Sequence, residues 1–296
     1  TTLSTASTDF SLVIHNFTPW TPENPFLYDL ELRLLVPASD CVSSYFAMRC
    51  FSVERDAQGI ARLCLNHIPY FQNGVLDQGY WPDGLYTAPC DEAMIYDIRT
   101  MKDAGFNMLR KHCKLEPLRW YYHCDRLGML VWQDIVNGGS AYDMTRVCYL
   151  PTVFPPYGAR PGERRRASGR TLSAGRAEWL RELRHTIEHL YNCPCIASWV
   201  LFNEGWGQFD TGRVTALARS LDPTRIIDQA SGWFDQGGGD FKSVHNYFRK
   251  LGIVKDPRAF VLSEYGGYAC RIPGHSSVER IYGYRHFSTK KEFSIA

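Results

Sequence analysis

The chain is poor in several features that would assign it to whole classes of protein. It has no uninterrupted apolar run near the roughly 18 residues needed to cross a bilayer. The stretch Thr1 to Phe10 has neither a basic start nor an apolar h-region, so it does not read as a signal peptide. Charge of one sign is also lacking, with 33 Lys and Arg against 31 Asp and Glu. A net charge of +2 argues against a nucleic-acid-binding surface, which needs a basic stripe or domain. The ten cysteines include no CxxC pair with zinc spacing. Cys193 and Cys195 flank Pro194, too tight for an ordinary bridge. Cys64, Cys113 and Cys148 sit in apolar or strand-like contexts, where free Cys acts as a small hydrophobe. Reduced thiols and a cytoplasmic setting are therefore expected, with secretion by an upstream signal left open.

What is present is enough apolar residue for a large core, 45% of 296. Aromatics are abundant at 14%; they fill cores first, and their faces also suit sugar rings. Residues 1–65 read as short strands without helical periodicity: Leu27–Leu34, Ala47–Val53 and Ile60–Leu65. This is the pattern of the end of an immunoglobulin-like β-sandwich, short of the roughly seven strands such a fold needs. Residues 66–296 change to alternating strands and helices. Strands are expected at Tyr70–Asp77, Phe106–Arg110, Met129–Ile135, Ile196–Phe202, Arg225–Ile227, Ser243–Tyr247 and Phe260–Ser263. Helices are expected at Asp91–Ala104, Pro117–Arg126, Arg176–Tyr191 and Asp210–Leu221. Seven βα-type units in a row favour an α/β chain with a (β/α)8 TIM-type barrel over an open sheet. No eighth strand is visible after Glu264, so the barrel is expected to lack its last strand and the sequence to be a piece of a longer polypeptide.

In a parallel barrel the functional groups stand at the C-terminal ends of strands. Those ends here are Arg110-Lys111-His112, Gln133-Asp134, Asn203-Glu204-Gly205-Trp206, His245-Asn246-Tyr247 and Ser263-Glu264-Tyr265. Two of them carry a glutamate directly after an apolar run. Hydrolysis of a glycosidic bond needs two carboxyl groups flanking that bond, one protonated and one ionised. The glycines after each glutamate let the chain turn away and leave room for a ligand.

Phe202-Asn203-Glu204-Gly205-Trp206-Gly207 and Leu262-Ser263-Glu264-Tyr265-Gly266-Gly267 resemble the acid/base and nucleophile motifs of glycoside hydrolase family 2. Gly105 to His112 and Asp125 to Asp134 resemble its second- and third-strand motifs. The similarity runs from about Trp20 to Phe287. It implies a catalytic barrel preceded by a sandwich domain, with a sugar-binding jelly roll upstream. It further implies that Glu204 is the general acid/base and Glu264 the nucleophile of a retaining exo-β-glycosidase. Asn203 would hold the sugar 2-hydroxyl and Arg110 would lie beneath the nucleophile. Tyr247 would hydrogen-bond that nucleophile, and His112 and Asp134 would line the pocket. Trp206 and Trp233 are the candidate aromatic walls. The charge of Glu264 is expected to raise the pKa of Glu204, and Arg110 to lower that of Glu264.

β-Galactosidase is the expected activity, with β-glucuronidase or β-mannosidase as alternatives. No Asn-x-Lys carboxylate-binding motif follows Glu264, which disfavours glucuronidase. A non-catalytic carbohydrate-binding fragment is the reading from a different class. The partner is then an oligosaccharide or glycoside, with no nucleic acid and no membrane; a homo-oligomer is left open. No cofactor and no metal site is evident, although Mg2+ or Na+ would follow from the family analogy. His185-Thr186-Ile187-Glu188-His189 matches an inverted zinc-peptidase pattern. It lies on a helix leading into a strand, which puts it at the opposite end of the barrel from the rim. Residues 137–175, rich in Gly, Pro and Arg and containing Arg164-Arg165-Arg166, read as a solvated insert over the barrel mouth.

Overall fold

The structure is a computed structural model, and it describes residues 10–35, 39–154, 165–250, 252–253, 255–276 and 278–295. Thr1 to Asp9 and the middle of the Arg-rich insert, residues 155–164, lie outside the described residues.

The chain begins with antiparallel structure. Strands β1 (Tyr28–Leu34) and β2 (Asp40–Phe46) form a two-stranded ribbon. Most of its side chains are exposed, Leu34 and Val42 among them. β3 (Phe51–Arg55), β4 (Ala61–Leu65) and β5 (Ile68–Pro69) form a small meander. The meander is not an isolated layer. Phe51 and Leu65 belong to the same buried core as the barrel strands, β3 packs on β10, and β4 packs on β12.

The parallel part follows from alternation of buried strands and one-sided helices. β6 (Gly74–Asp77), β7 (Met108–Lys111), β8 (Leu130–Asp134), β9 (Ile196–Val200) and β10 (Ile226–Asp228) pair in that order, all parallel. β7, β8, β9 and β10 are buried at every position. Burial on both faces is why each begins as an apolar run, with the polar residues of β7, β8 and β10 at their C-terminal ends. β11 (Phe241–Asn246) and β12 (Ala259–Tyr265) form a second parallel pair. Hydrogen bonds and side-chain hydroxyls link β10 to β11, through Asp240 N to Ile227 O at 2.9 Å and Ser231 to Ser243 at 3.3 Å. Seven parallel strands are thus in the expected order. Among the described residues β12 is not hydrogen-bonded to β6. After β12 comes a separate parallel pair, β13 (Tyr268–Cys270) and β14 (Arg285–Phe287).

Helices α1 (Asp91–Asp103), α2 (Leu118–Leu127), α4 (Ser173–Leu190) and α5 (Thr211–Leu221) cover the outside of the barrel sheet. A short turn, α3 (Leu150–Val153), lies within the insert. α4 shows why these segments are helical: Trp179, Leu183, Thr186, Ile187 and Leu190 are buried at spacings of three and four. His185, Glu188 and His189 face the opposite way, into solvent. Glu188 lies 4.0 Å from Arg184 on that outer surface. A last helix, α6 (Lys290–Ile295), ends the described chain. No helix among the described residues is long and apolar enough to cross a membrane. All ten cysteines are free thiols.

The insert differs from its reading as a solvated loop. Its two arms are packed. Ser168 Oγ donates to Gln208 O at 2.7 Å, and Arg170 Nε donates to Gly207 O at 2.9 Å. Ala167, Ser168 and Arg170 are buried, so the arms clamp the segment that follows Glu204. Gly207 is needed there. Its φ is +68°, and a Cβ on it would lie 2.2 Å from Gly138 O on the opposite arm.

Candidate active site

The strand ends converge on Arg110. Along β7 the side chains alternate, so Arg110 points into the barrel. Lys111 points outward, between Asp77 and Glu116 and over the Trp120 ring. Arg110 is 1% exposed. All three nitrogens of its guanidinium donate hydrogen bonds. Nε and Nη2 donate to Asp134 Oδ1 and Oδ2 at 2.9 and 3.1 Å. Nη1 donates to Glu264 Oε1 at 2.9 Å, and Nη2 also donates to Asn203 Oδ1 at 2.9 Å. One planar fork therefore ties together the ends of β7, β8, β9 and β12.

Glu204 stands just past β9 at a backbone φ of +52°, a conformation that costs a non-glycine residue free energy and is held by its surroundings. Its N–H donates to Ser231 O at 2.9 Å, and its own carbonyl accepts Trp233 Nε1 at 2.9 Å. The side chain is engaged on both oxygens. Oε1 lies 2.8 Å from His245 Nδ1 and 3.1 Å from Tyr247 Oη. Oε2 accepts Trp206 Nε1 at 3.3 Å. Tyr247 Oη is also 2.5 Å from Glu264 Oε2, so one phenol bridges the two carboxylates. One oxygen of each carboxylate and one ring nitrogen of His245 all lie within 4.8 Å of one another.

The structure thus brings together Glu204, Glu264, Asn203, Arg110, Asp134, His112, Tyr247 and Trp206. His112 Nδ1 sits 2.5 Å from Asp134 Oδ2. Burial works against the charged imidazole, but the hydrogen bonds to Asp134 and Cys113 and the charge of Asp134 together outweigh it and push the His112 pKa up to about 10. Trp233 is behind the site rather than on its open face. It is buried, its N–H is consumed by the Val147 and Glu204 carbonyls, and its ring packs edge-on against His245.

One expectation is overturned. The Glu204 pKa is lowered, not raised. Burial pushes it up, but the hydrogen bond and charge of His245, with Trp206 and Tyr247 behind them, hold it below the usual carboxylate range. The charge of Glu264 alone would raise it; His245, in contact with Oε1, reverses the sign. His245 was visible only as one member of a strand end. The signal that could have found it is strand period: Ser243, His245 and Tyr247 alternate onto one face of β11. Burial also pushes the Tyr247 phenol well above its ordinary value, helped by the charges of Glu264 and Glu204.

A hard cation does not fit the Glu204, His245 and Glu264 donor set. Mg2+ and Na+ are held by oxygen ligands. Here one of three donors is an imidazole nitrogen, and Glu264 Oε1 already accepts the Arg110 guanidinium. His112, Cys113 and Asp134 also cluster. There the carboxylate faces Nδ1 while the sulfur, 3.4 Å away, faces Nε2. Those two donors lie on opposite edges of one ring, so they do not converge on a single ion. Beside the site is a cleft of about 530 Å3 that Tyr247, Leu262, Tyr265, Tyr268 and Arg285 help to line. It shares Tyr247 with the carboxylate pair.

Comparison with known families decides the affiliation. Residues 89–251 match the model described as "Glycosyl hydrolases family 2, TIM barrel domain". This chain belongs to glycosyl hydrolase family 2. Its family 2 relatives include the β-galactosidase of Leuconostoc mesenteroides, 23% identical over 86% of this chain and 24% of that protein. A β-galactosidase of Enterobacter cloacae is 26% identical over 89% of this chain and 26% of that protein. The chain spans about a quarter of the length of these curated relatives. Among solved structures, a family 2 β-galacturonidase from Eisenbergiella tayi superposes with a TM-score of 0.65. The identity is 20%, over 90% of this chain and 47% of that one. The β-D-glucuronidase of Dictyoglomus thermophilum gives 0.64 over the same shares at 20% identity. These likenesses show the fold of the family 2 barrel.

Proposed function

We propose that the protein is a retaining exo-β-glycosidase that removes terminal β-linked sugars by double displacement, with β-galactosidase its principal activity. The observation that carries this reading is the bridged carboxylate pair, Glu204 and Glu264, with an oxygen of each inside the 4.8 Å donor cluster. Retaining enzymes hold their carboxyl groups about 5–5.5 Å apart, and inverting ones leave a wider gap for water. Glu264, paired with buried Arg110 and touched by Tyr247, is the nucleophile. Glu204 is the acid/base. Asn203, fixed by Arg110, presents its amide nitrogen to the sugar. His112 and Asp134 line the floor, and Trp206 offers a ring to a sugar face.

Galactose is favoured by the names of the relatives. A putative β-glucuronidase of Formosa agariphila, 24% identical over 72% of this chain, keeps a uronic acid as the alternative sugar. A panel of p-nitrophenyl β-D-glycosides, with NMR detection of the first anomer released, tests the reading. The expected result is turnover, fastest for the galactoside, with a β-anomer appearing first. An α-anomer first would exclude retention. Binding of sugars without turnover would support a non-catalytic carbohydrate-binding role instead.

A further inference from the structure

The lowered pKa of Glu204 poses a question for the proposed chemistry. A general acid must hand a proton to the leaving oxygen, yet this carboxyl is held toward its charged form by His245. We propose that His245 is a positioning residue that shares the catalytic proton with Glu204, its ring locked for that purpose by the Ser231, Ser243 and Ser263 hydroxyls.

The imidazole has a defined partner on each edge. Nδ1 is 2.8 Å from Glu204 Oε1. Nε2 is 2.9 Å from Ser231 Oγ and 3.6 Å from Glu264 Oε1. The His245 side chain is fully buried, and Trp233 packs edge-on against its ring. Ser231 is itself fixed. Its hydroxyl is 3.3 Å from Ser243 Oγ and 3.1 Å from Ser263 Oγ, and Ser243 and Ser263 are 2.5 Å apart. Ser231 and Ser243 are buried and Ser263 is part-buried where β10, β11 and β12 meet. Ser231 touches the ring, and the other two hydroxyls hold Ser231 in place. This is the logic of a base oriented by a third group.

The groups facing this pair come from every neighbouring element. Arg110 arrives from β7, Asp134 from β8, Asp228 from β10, Tyr247 from the residue after β11 and Glu264 from β12, with Cys148 facing Glu204 from the helical turn Thr145–Tyr149 and Tyr284 from the segment before β14. Asp228 is buried at the far side of the hydroxyl cluster, beside Ser243. Burial raises its pKa to about 6 despite Arg110 and Ser243.

The proton count closes over both halves of the reaction. In the first, a Glu264 oxygen bonds to the anomeric carbon and the bond to the leaving oxygen breaks. The leaving oxygen takes the proton shared by His245 Nδ1 and Glu204 Oε1, which leaves the imidazole neutral and Glu204 ionised. In the second, water attacks the anomeric carbon and the ester bond to Glu264 breaks. The proton lost by water returns to the Glu204–His245 pair.

This inference rests on the glycosidase reading above, and leaving-group dependence separates the two. The probes are 2,4-dinitrophenyl β-D-galactoside, whose leaving group needs no proton, and methyl β-D-galactoside, whose leaving group does. The variants are His245→Gln, Ser231→Ala and, as a benchmark, Glu204→Gln. The expected result is that His245→Gln follows Glu204→Gln. It loses about 10²-fold or more in kcat/KM on the methyl glycoside, within the range for general acid catalysis, and under about tenfold on the dinitrophenyl glycoside. Ser231→Ala shifts in the same sense by about tenfold. Equal losses on both probes in both variants would mean a purely structural role and overturn the proposal. So would a His245→Gln variant within about threefold of wild type on the methyl glycoside. A wild-type protein inactive on both probes would bring down the galactosidase reading, and a Glu264→Ala variant with undiminished rate the glycosidase reading, along with it.

Discussion

Arg110 Nη1 donates to Glu264 Oε1 at 2.9 Å from a site that is 1% exposed. The same guanidinium satisfies Asp134 and Asn203, so it fixes the position of the proposed nucleophile relative to both. Arg110→Met removes the cationic partner of part-buried Glu264 and one of the two partners of buried Asp134, which keeps His112. Breaking a buried pair by removing one partner costs about 3–5 kcal/mol. The variant is expected to melt well below wild type and to lose at least about 10²-fold in kcat. Calorimetry with initial-rate kinetics checks both; an unchanged kcat would remove Arg110 from the account.

Tyr247 bridges the carboxylates through one hydroxyl. Tyr247→Phe keeps the ring and its stacking on Tyr284 but removes the donor to Glu264. Removing one preorganised donor to a reacting oxygen costs about 10²–10³ in kcat. The expected outcome is a kcat loss near the lower end of that range with KM changed less than about threefold. A loss seen only in KM would place Tyr247 in ground-state sugar binding.

Asp235 locks the β10–β11 loop onto β11 and onto the chain entering β12. Lys242 Nζ is 3.0 Å and Arg258 Nη2 2.6 Å from its Oδ2. Burial raises its pKa, but the Arg258 hydrogen bond, the Gly237 N–H and Lys242 outweigh that and hold it at about 2. The folded value lies below the unfolded one, so its stabilisation is present above about pH 4 and fades as pH falls toward 2. The shift corresponds to at most about 2.5 kcal/mol. Asp235→Asn is expected to lower Tm at pH 7, with the gap to wild type closing between pH 4 and 2. A gap independent of pH would contradict the ion-pair origin.

Gly207 lies where an arm of the insert crosses the segment after Glu204. Gly207→Ala places a methyl 2.2 Å from Gly138 O at a left-handed φ. A non-glycine residue held there costs about 1–3 kcal/mol in backbone conformation alone. The expected outcome is a lower Tm together with a fall in kcat, because relief of the clash moves the loop carrying Glu204. Full activity at a lowered Tm would show that the insert does not position the acid/base.

The barrel was legible in the sequence because its strands are buried on both faces and its helices on one. Ile196–Val200 is apolar but for Ser198, and Trp179 to Leu190 repeats at helical spacing. The two glutamates were legible because each follows such a run. His245 was not, since a buried Ser243 and His245 on β11 look like an outward polar face until β12 covers them. The protonation state of Glu204 depends on a ring nitrogen 41 residues away, which no local pattern encodes. Strand β2 escaped because Asp40 to Phe46 is exposed along most of its length and shows little alternation. The packed arms of the insert escaped because Ser168 and Arg170 are polar, and only their partners on Gly207 and Gln208 reveal that they are buried.

The central claim is that Glu264 becomes covalently glycosylated, and trapping that ester tests it most directly. The protein is incubated with 2,4-dinitrophenyl 2-deoxy-2-fluoro-β-D-galactoside, digested, and sequenced by mass spectrometry. The account predicts one fluorosugar per chain, on Glu264, and none in the Glu264→Gln variant. A label on Glu204 instead, or continued turnover of galactosides by the Glu264→Gln variant, would contradict it.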